Sequence, residues 1–262
     1  MIPINVTLLA RLLRGLRVRL AVGIAVVVVW SLLFPIIYEA FKGEEVSVPG
    51  RPSSFTDFST LASTVSIGFI HPISIALYGM LSAGLTVGAI SGERQRGTLE
   101  LLLSKPIGRR VLFLTVLFEG WIGSALVSLA YAAGTVLGAQ IAGVANELPF
   151  EYLPALWAYG TLFWGAFATI GAAASGSFDR TAQPMAIVVA FIMANYIVEV
   201  IGGFWDVVEP YQYLSLFHHF VPRDLLAGTN DAAAAALFAV IALFAAVWGL
   251  IVFPRRDLAA PN

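Results

Sequence analysis

Six stretches of this sequence are long and apolar enough to cross a lipid bilayer, and lipid leaves a chain few ways to fold. Hydrocarbon offers no partner to a backbone N–H or C=O, so a run of about 20 apolar residues must close its hydrogen bonds within itself, as an α-helix. Such regions fall at about 20–41, 60–90, 111–145, 153–175, 184–204 and 232–253, with ends good to a few residues. The sequence therefore predicts an all-α membrane protein with six transmembrane helices in a single domain, 1–262. Composition agrees, since 59% of residues are apolar and only 12% charged, against roughly a quarter charged in soluble domains. The second and third regions are longer than a perpendicular span requires, which predicts tilting, protrusion or breaks. Gly120, Gly123, Gly134 and Gly138 offer breaks in the third, and His71-Pro72 offers a kink in the second, because proline removes an N–H.

Charge placement gives an orientation. Lys and Arg collect in cytoplasmic segments. With the N-terminus inside, Arg11, Arg14, Arg17, Arg19, Arg94, Arg96, Lys105, Arg109, Arg110, Arg180, Arg255 and Arg256 face the cytoplasm, and only Lys42, Arg51 and Arg223 face out. Both termini are then cytoplasmic, and the expected location is the cell membrane. Val22 to Ile37 runs into Tyr38-Glu39-Ala40-Phe41-Lys42 without a small-residue cleavage site, so the first apolar stretch reads as a retained span. A net charge of −1 gives no reason to expect nucleic acid, and the absence of cysteine excludes disulfides and thiolate chemistry.

Ahead of the first span, Leu9, Leu12, Leu13, Leu16 and Leu20 recur at helical spacing, with Arg11, Arg14 and Arg17 on other faces. This predicts a basic amphipathic helix over 7–19 lying on the inner leaflet; the alternative is that its arginines only anchor the first span. The most charged stretch, 91–110, joins the second and third spans. Within it Leu99, Leu102 and Leu103 share one face of a short helix, which Pro106 should stop. Such a helix can seat in a partner's groove, or it can be an ordinary charged loop with an interfacial leucine patch.

The run Glu93-Arg94-Gln95-Arg96-Gly97-Thr98-Leu99-Glu100-Leu101-Leu102-Leu103-Ser104-Lys105-Pro106-Ile107 resembles the E-x-x-x-G-T-L-E-x-L-L-x-x-P-I signature of the permease subunits of type-2 ABC exporters. The resemblance includes their branch of nitrous-oxide-reductase maturation, sodium and bacitracin export permeases. The resemblance implies a second permease subunit, with separate ABC ATPase subunits docking on 91–110. Glu93, Arg94, Arg96, Gly97, Thr98, Leu99, Glu100, Leu102, Leu103 and Pro106 would carry the docking surface, and the helix bearing Arg11, Arg14 and Arg17 would help transmit movement. No G-x-x-x-x-G-K-[ST] loop occurs, so the chain itself is not expected to be an enzyme or to hold a cofactor. ATP and Mg²⁺ belong to the partner.

Other residues carry further expectations. Ionisable groups within spans are costly and face protein or water. Glu119 reads as structural or interfacial beside Arg109 and Arg110, Glu199 as close to the outer interface rather than a proton relay, and His71 as a bundle hydrogen-bonding group rather than a path residue. Adjacent His218 and His219 suit no metal site. Gly84-x-x-x-Gly88 and Gly134-x-x-x-Gly138 read as close helix packing within the chain, and the aromatic region 204–230 as anchoring in the outer interface, with a re-entrant gate as the alternative. An ion-coupled transporter or channel using the intramembrane carboxylates is the second function class. An intramembrane enzyme is third, with no supporting motif. The cargo expected of an exporter lacking charged pathway clusters is apolar or amphipathic, such as a lipid or drug.

Overall fold

The computed structural model describes residues 4–42, 57–104 and 106–256, so Arg51, Lys105, most of the 42–59 loop and the side chain of Leu103 lie outside the described residues. Among those described there are only helices and connections, and six helices are long and apolar enough to span a membrane.

Helix α1, Val6–Phe41, begins where the Asn5 side chain accepts the Leu8 N–H at 2.9 Å. Its 36 residues extend about 54 Å, far beyond the roughly 30 Å hydrocarbon core. The separate helix expected over 7–19 is instead the first part of this same helix. No break separates it from the span, and Leu8 is buried in a cluster with Leu99, Leu102, Leu112 and Val116. The Asn5 N–H also donates to Thr115 Oγ1 at 3.1 Å. Of the leucine stripe, Leu20 is buried and Leu12 packs against that cluster, whereas Leu9, Leu13 and Leu16 are half-buried.

The region expected as one span from 60 to 90 is two helices, α2 (Leu61–Ile70) and α3 (Pro72–Val87). His71 holds an extended conformation, as the residue before a proline prefers, and its Nδ1 accepts the Ile73 N–H at 3.2 Å, capping α3. The Gly68 carbonyl freed by the break accepts from Trp30 Nε1 at 3.2 Å and from the Ser74 hydroxyl. His71 therefore caps its own helix. After α3 come a π-helical turn, Gly88–Gly92, a single turn α4 (Glu93–Gln95) and the short α5 (Leu99–Leu103).

Helix α6, Arg109–Ile141, runs unbroken for 33 residues, so its glycines are not the breaks expected of them. They are places of close approach. A Cβ on Gly134 or Gly138 would collide with the Val28 or Leu32 backbone of α1, and one on Gly120 or Gly123 with Thr86 or Leu85 of α3. The Gly134–Gly138 pair packs within the chain. Gly84 is looser, its Cβ position 3.8 Å from Met185, and Gly88 borders open space.

Helix α7, Leu153–Ser177, is the central post. Its Phe163, Trp164 and Phe167 are fully buried. After α8 (Ala182–Gly202), the chain turns back: a 3₁₀ turn at Glu209–Leu214 and the short α9 (Pro222–Leu226) precede α10 (Ala232–Arg255). The aromatic region splits its roles. Phe204, Trp205, Tyr211 and Tyr213 are exposed, whereas Phe217 and Phe220 enter the core, where Phe220 stacks on Phe163 at 4.6 Å. The outward faces of α8 and α10 carry exposed Phe191, Ile197, Phe244 and Trp248, surfaces suited to lipid or an apolar partner.

Candidate functional site

Arg94, Arg109 and Arg256 gather at one end of the bundle, the basic end, where the segment after α3 builds a cross-braced plate. Its first element is a tight elbow made by the most recognisable residues of the sequence run. Gly97 takes φ +70°, a left-handed conformation that costs a residue with a Cβ about 1–2 kcal/mol. That turn lets the Thr98 N–H reach the Glu93 carbonyl at 2.9 Å. The Thr98 hydroxyl donates to the Glu93 carboxylate at 2.7 Å, which also takes Arg96 Nη2 at 2.5 Å. Glu93, Arg96, Gly97 and Thr98 thus make the turn itself.

Leu99 and Leu102 then point inward, 1% and 3% exposed, against Leu8, Leu112 and Val116. A side chain buried in its own bundle is not available to a partner. The apolar face of α5, expected to meet a partner's groove, anchors α5 to α1 and α6, because Leu8 and Leu12 of α1 and Leu112 and Val116 of α6 meet it. What α5 presents outward is Glu100, Leu101 and Ser104, with Pro106 beyond. Leu101 is 69% exposed. Arg11, Arg14, Leu102 and Pro106 line a groove of about 520 Å³ between α1 and this segment. Arg17 is exposed and does not line it.

Arg94 is buried, its Nη1 3.0 Å from Asp179, which Arg256 also meets at 2.5 Å. Gln95 Oε1 accepts the Thr181 hydroxyl at 2.9 Å, and Arg109 donates to the carbonyls of Pro254 and Arg256 at 3.0 and 2.8 Å. One turn deeper, the Ser91 N–H donates to Ser175 Oγ at 2.8 Å, with neither serine exposed to solvent. The loop after α3 is therefore braced to the α7–α8 connection and the end of α10. Asp179, Thr181 and Ser175 escaped the sequence reading. A lone aspartate beside Arg180 in an apolar stretch was the signal for Asp179; nothing in sequence pairs Ser91 with Ser175.

A second groove, about 390 Å³, runs between α1 and α3 past Arg11, Arg19, Glu93 and Arg96 to Glu119. Glu119 is fully buried, and among the described residues neither carboxyl oxygen has a hydrogen-bond partner. Its expected neighbours Arg109 and Arg110 do not line this groove. At the opposite end Glu199 lies 3.5 Å from His218 and lines a cavity of about 270 Å³ with Tyr196, Phe217 and the Asp57–Arg223 ion pair. His219 instead meets the Tyr213 carbonyl at 2.8 Å. No group of three or more His, Asp or Glu suited to a metal occurs among the described residues.

Six helices long and apolar enough to span a bilayer define a multi-pass membrane protein. The chain belongs to the ABC-2 family transporter proteins, whose family model matches residues 17–258, and it is thus a membrane component of an ABC transporter. No curated protein matches it.

Proposed function

We propose that this chain is the permease subunit of an ATP-driven exporter, working with a second permease subunit and driven by separate ABC ATPases that dock on the plate at 91–110. The observation that carries the reading is Leu101, an apolar side chain 69% exposed on a helix whose Leu99 and Leu102 are buried. A partner groove gives it a place, and the bracing gives it consequence. Force on α5 passes through Leu99 and Leu102 into α1 and α6, and through Arg94–Asp179 and Gln95–Thr181 into the α7–α8 connection. The basic plate faces the cytoplasm, as the arginine and lysine distribution supports. The run 93–107 supports a place near the nitrous-oxide-reductase maturation, sodium and bacitracin export permeases.

ATP and Mg²⁺ are held by the ATPase, since this sequence has no phosphate-cradling loop. The cargo is an apolar or amphipathic molecule. Ion coupling without an ATPase is the second reading, favoured by the partnerless Glu119. Reconstitution decides between them. The purified chain alone should hydrolyse no ATP, and vesicles containing it should move cargo only with its ATPase and ATP. Transport driven by an ion gradient without any ATPase would overturn the proposal.

A further inference from the structure

Three ionisable groups around the groove between α1 and α3 form no close ion pair among the described residues: the exposed Arg11, whose charge still acts on Glu93, the exposed Arg19, and the buried Glu119. Glu93 and Arg96, also at this groove, satisfy one another. Between these groups the wall is apolar, formed by Leu12, Leu16 and Leu85. Depth adds a constraint. Glu119 lies 22 residues before the end of α6 at Ile141, a rise of about 33 Å, close to one hydrocarbon thickness. With the orientation proposed above, the groove stands at the level of the inner-leaflet headgroups.

We infer that this groove binds an inner-leaflet phospholipid with a primary-amine headgroup. The phosphate meets Arg11 and Arg19, the ammonium meets Glu119 at the floor, and the two-carbon linker between them crosses the leucines. A phosphate alone leaves Glu119 unmatched, and an amine alone meets two arginines at the entrance. Only a ligand carrying both charges answers all three. A buried carboxyl without a partner otherwise costs free energy for no return, and guanidinium is the side chain that best matches phosphate.

The site needs no ATPase, so its test is separate from that of the exporter reading. The protein is extracted from vesicles containing phosphatidylethanolamine, phosphatidylcholine and phosphatidylglycerol in equal amounts, and bound lipid is counted by native mass spectrometry. Phosphatidylcholine keeps the phosphate but has no N–H donor; phosphatidylglycerol has no amine. Phosphatidylethanolamine should exceed both by about tenfold or more, as a hydrogen bond to a charged group warrants. Glu119→Gln should abolish that preference. Replacing Arg11 and Arg19 with alanine should weaken all three lipids, by about fivefold for each arginine.

Gly88→Leu provides an independent block, since Gly88 lines the groove with open space where a side chain would grow. It should exclude all three lipids while leaving the charges in place, and thermal unfolding confirms that each variant is folded. Equal binding of phosphatidylethanolamine and phosphatidylcholine, or an unchanged preference in Glu119→Gln, would overturn the inference. Soluble phosphoethanolamine should not displace the lipid. If it does so at equal concentration, the ligand is a free headgroup and the lipid assignment fails.

Discussion

Replacing a glycine by alanine should have opposite signs at two places in this fold. At Gly138 a Cβ would stand 3.0 Å from the Cα and carbonyl carbon of Leu32 and collide with its oxygen. These are backbone atoms in the middle of α1, so relief requires moving a whole helix. Overpacking of this kind costs about 1–3 kcal/mol. At Gly15, on the same α1, nothing lies within 4 Å of the new Cβ, and only the gain in helix propensity remains, about 0.5–1 kcal/mol. The two variants should therefore differ by about 2 kcal/mol, a gap of about 4–8 °C in unfolding temperature for a chain of this size. Thermal unfolding of the detergent-purified proteins, followed by intrinsic fluorescence, measures it. Gly138→Ala as stable as Gly15→Ala would refute the close α1–α6 crossing on which the continuous helix rests.

Other outcomes follow from the same contacts. Gly97→Ala should strain the elbow by about 1–2 kcal/mol and lower ATPase association while the spans stay folded, read by pull-down beside circular dichroism. In this cysteine-free chain, cysteine at the exposed Thr229 should react with an impermeant thiol reagent added outside cells and cysteine at the exposed Ser104 should not; the reverse pattern would invert the topology. At the end opposite the plate, hydrogen bonds from Lys42 and then Tyr38 hold the Glu147 carboxyl below the usual carboxylate range. The stability from that shift is present above the ordinary carboxylate pKa and is lost as pH falls through the lowered one. The unfolding temperature should drop over that acid window, and Glu147→Gln should remove this part of the drop.

Much of the fold was legible because lipid enforces a simple rule. Apolar runs gave six spans, and His71-Pro72 marked the one place where the second region breaks. The glycines of α6 misled as breaks because sequence registers the absence of a side chain, not the neighbour that requires it. Only with α1 alongside do Gly134 and Gly138 become contacts. The 93–107 run was visible, but its roles were not. Glu93, Gly97 and Thr98 hold a turn together and Leu99 and Leu102 hold it down, structural roles that their spacing did not reveal. Helical spacing gave the leucine stripe of α1 but not that Leu8, outside it, would be the residue buried beside Leu99 and Leu102.

The central claim is that the outward face of α5 is where an ABC ATPase binds. It is tested most directly by the affinity of the ATPase for the permease with Leu101→Asp and Glu100→Lys together. Both side chains are exposed, so the change should leave thermal stability within about 0.5 kcal/mol. At a docked interface the introduced charges should cost several kcal/mol, about a hundredfold or more in affinity. A loss of that size in a normally folded protein, with transport falling in parallel, is the result predicted. Wild-type affinity in the doubly substituted protein would contradict the claim and reduce α5 to a brace within the permease.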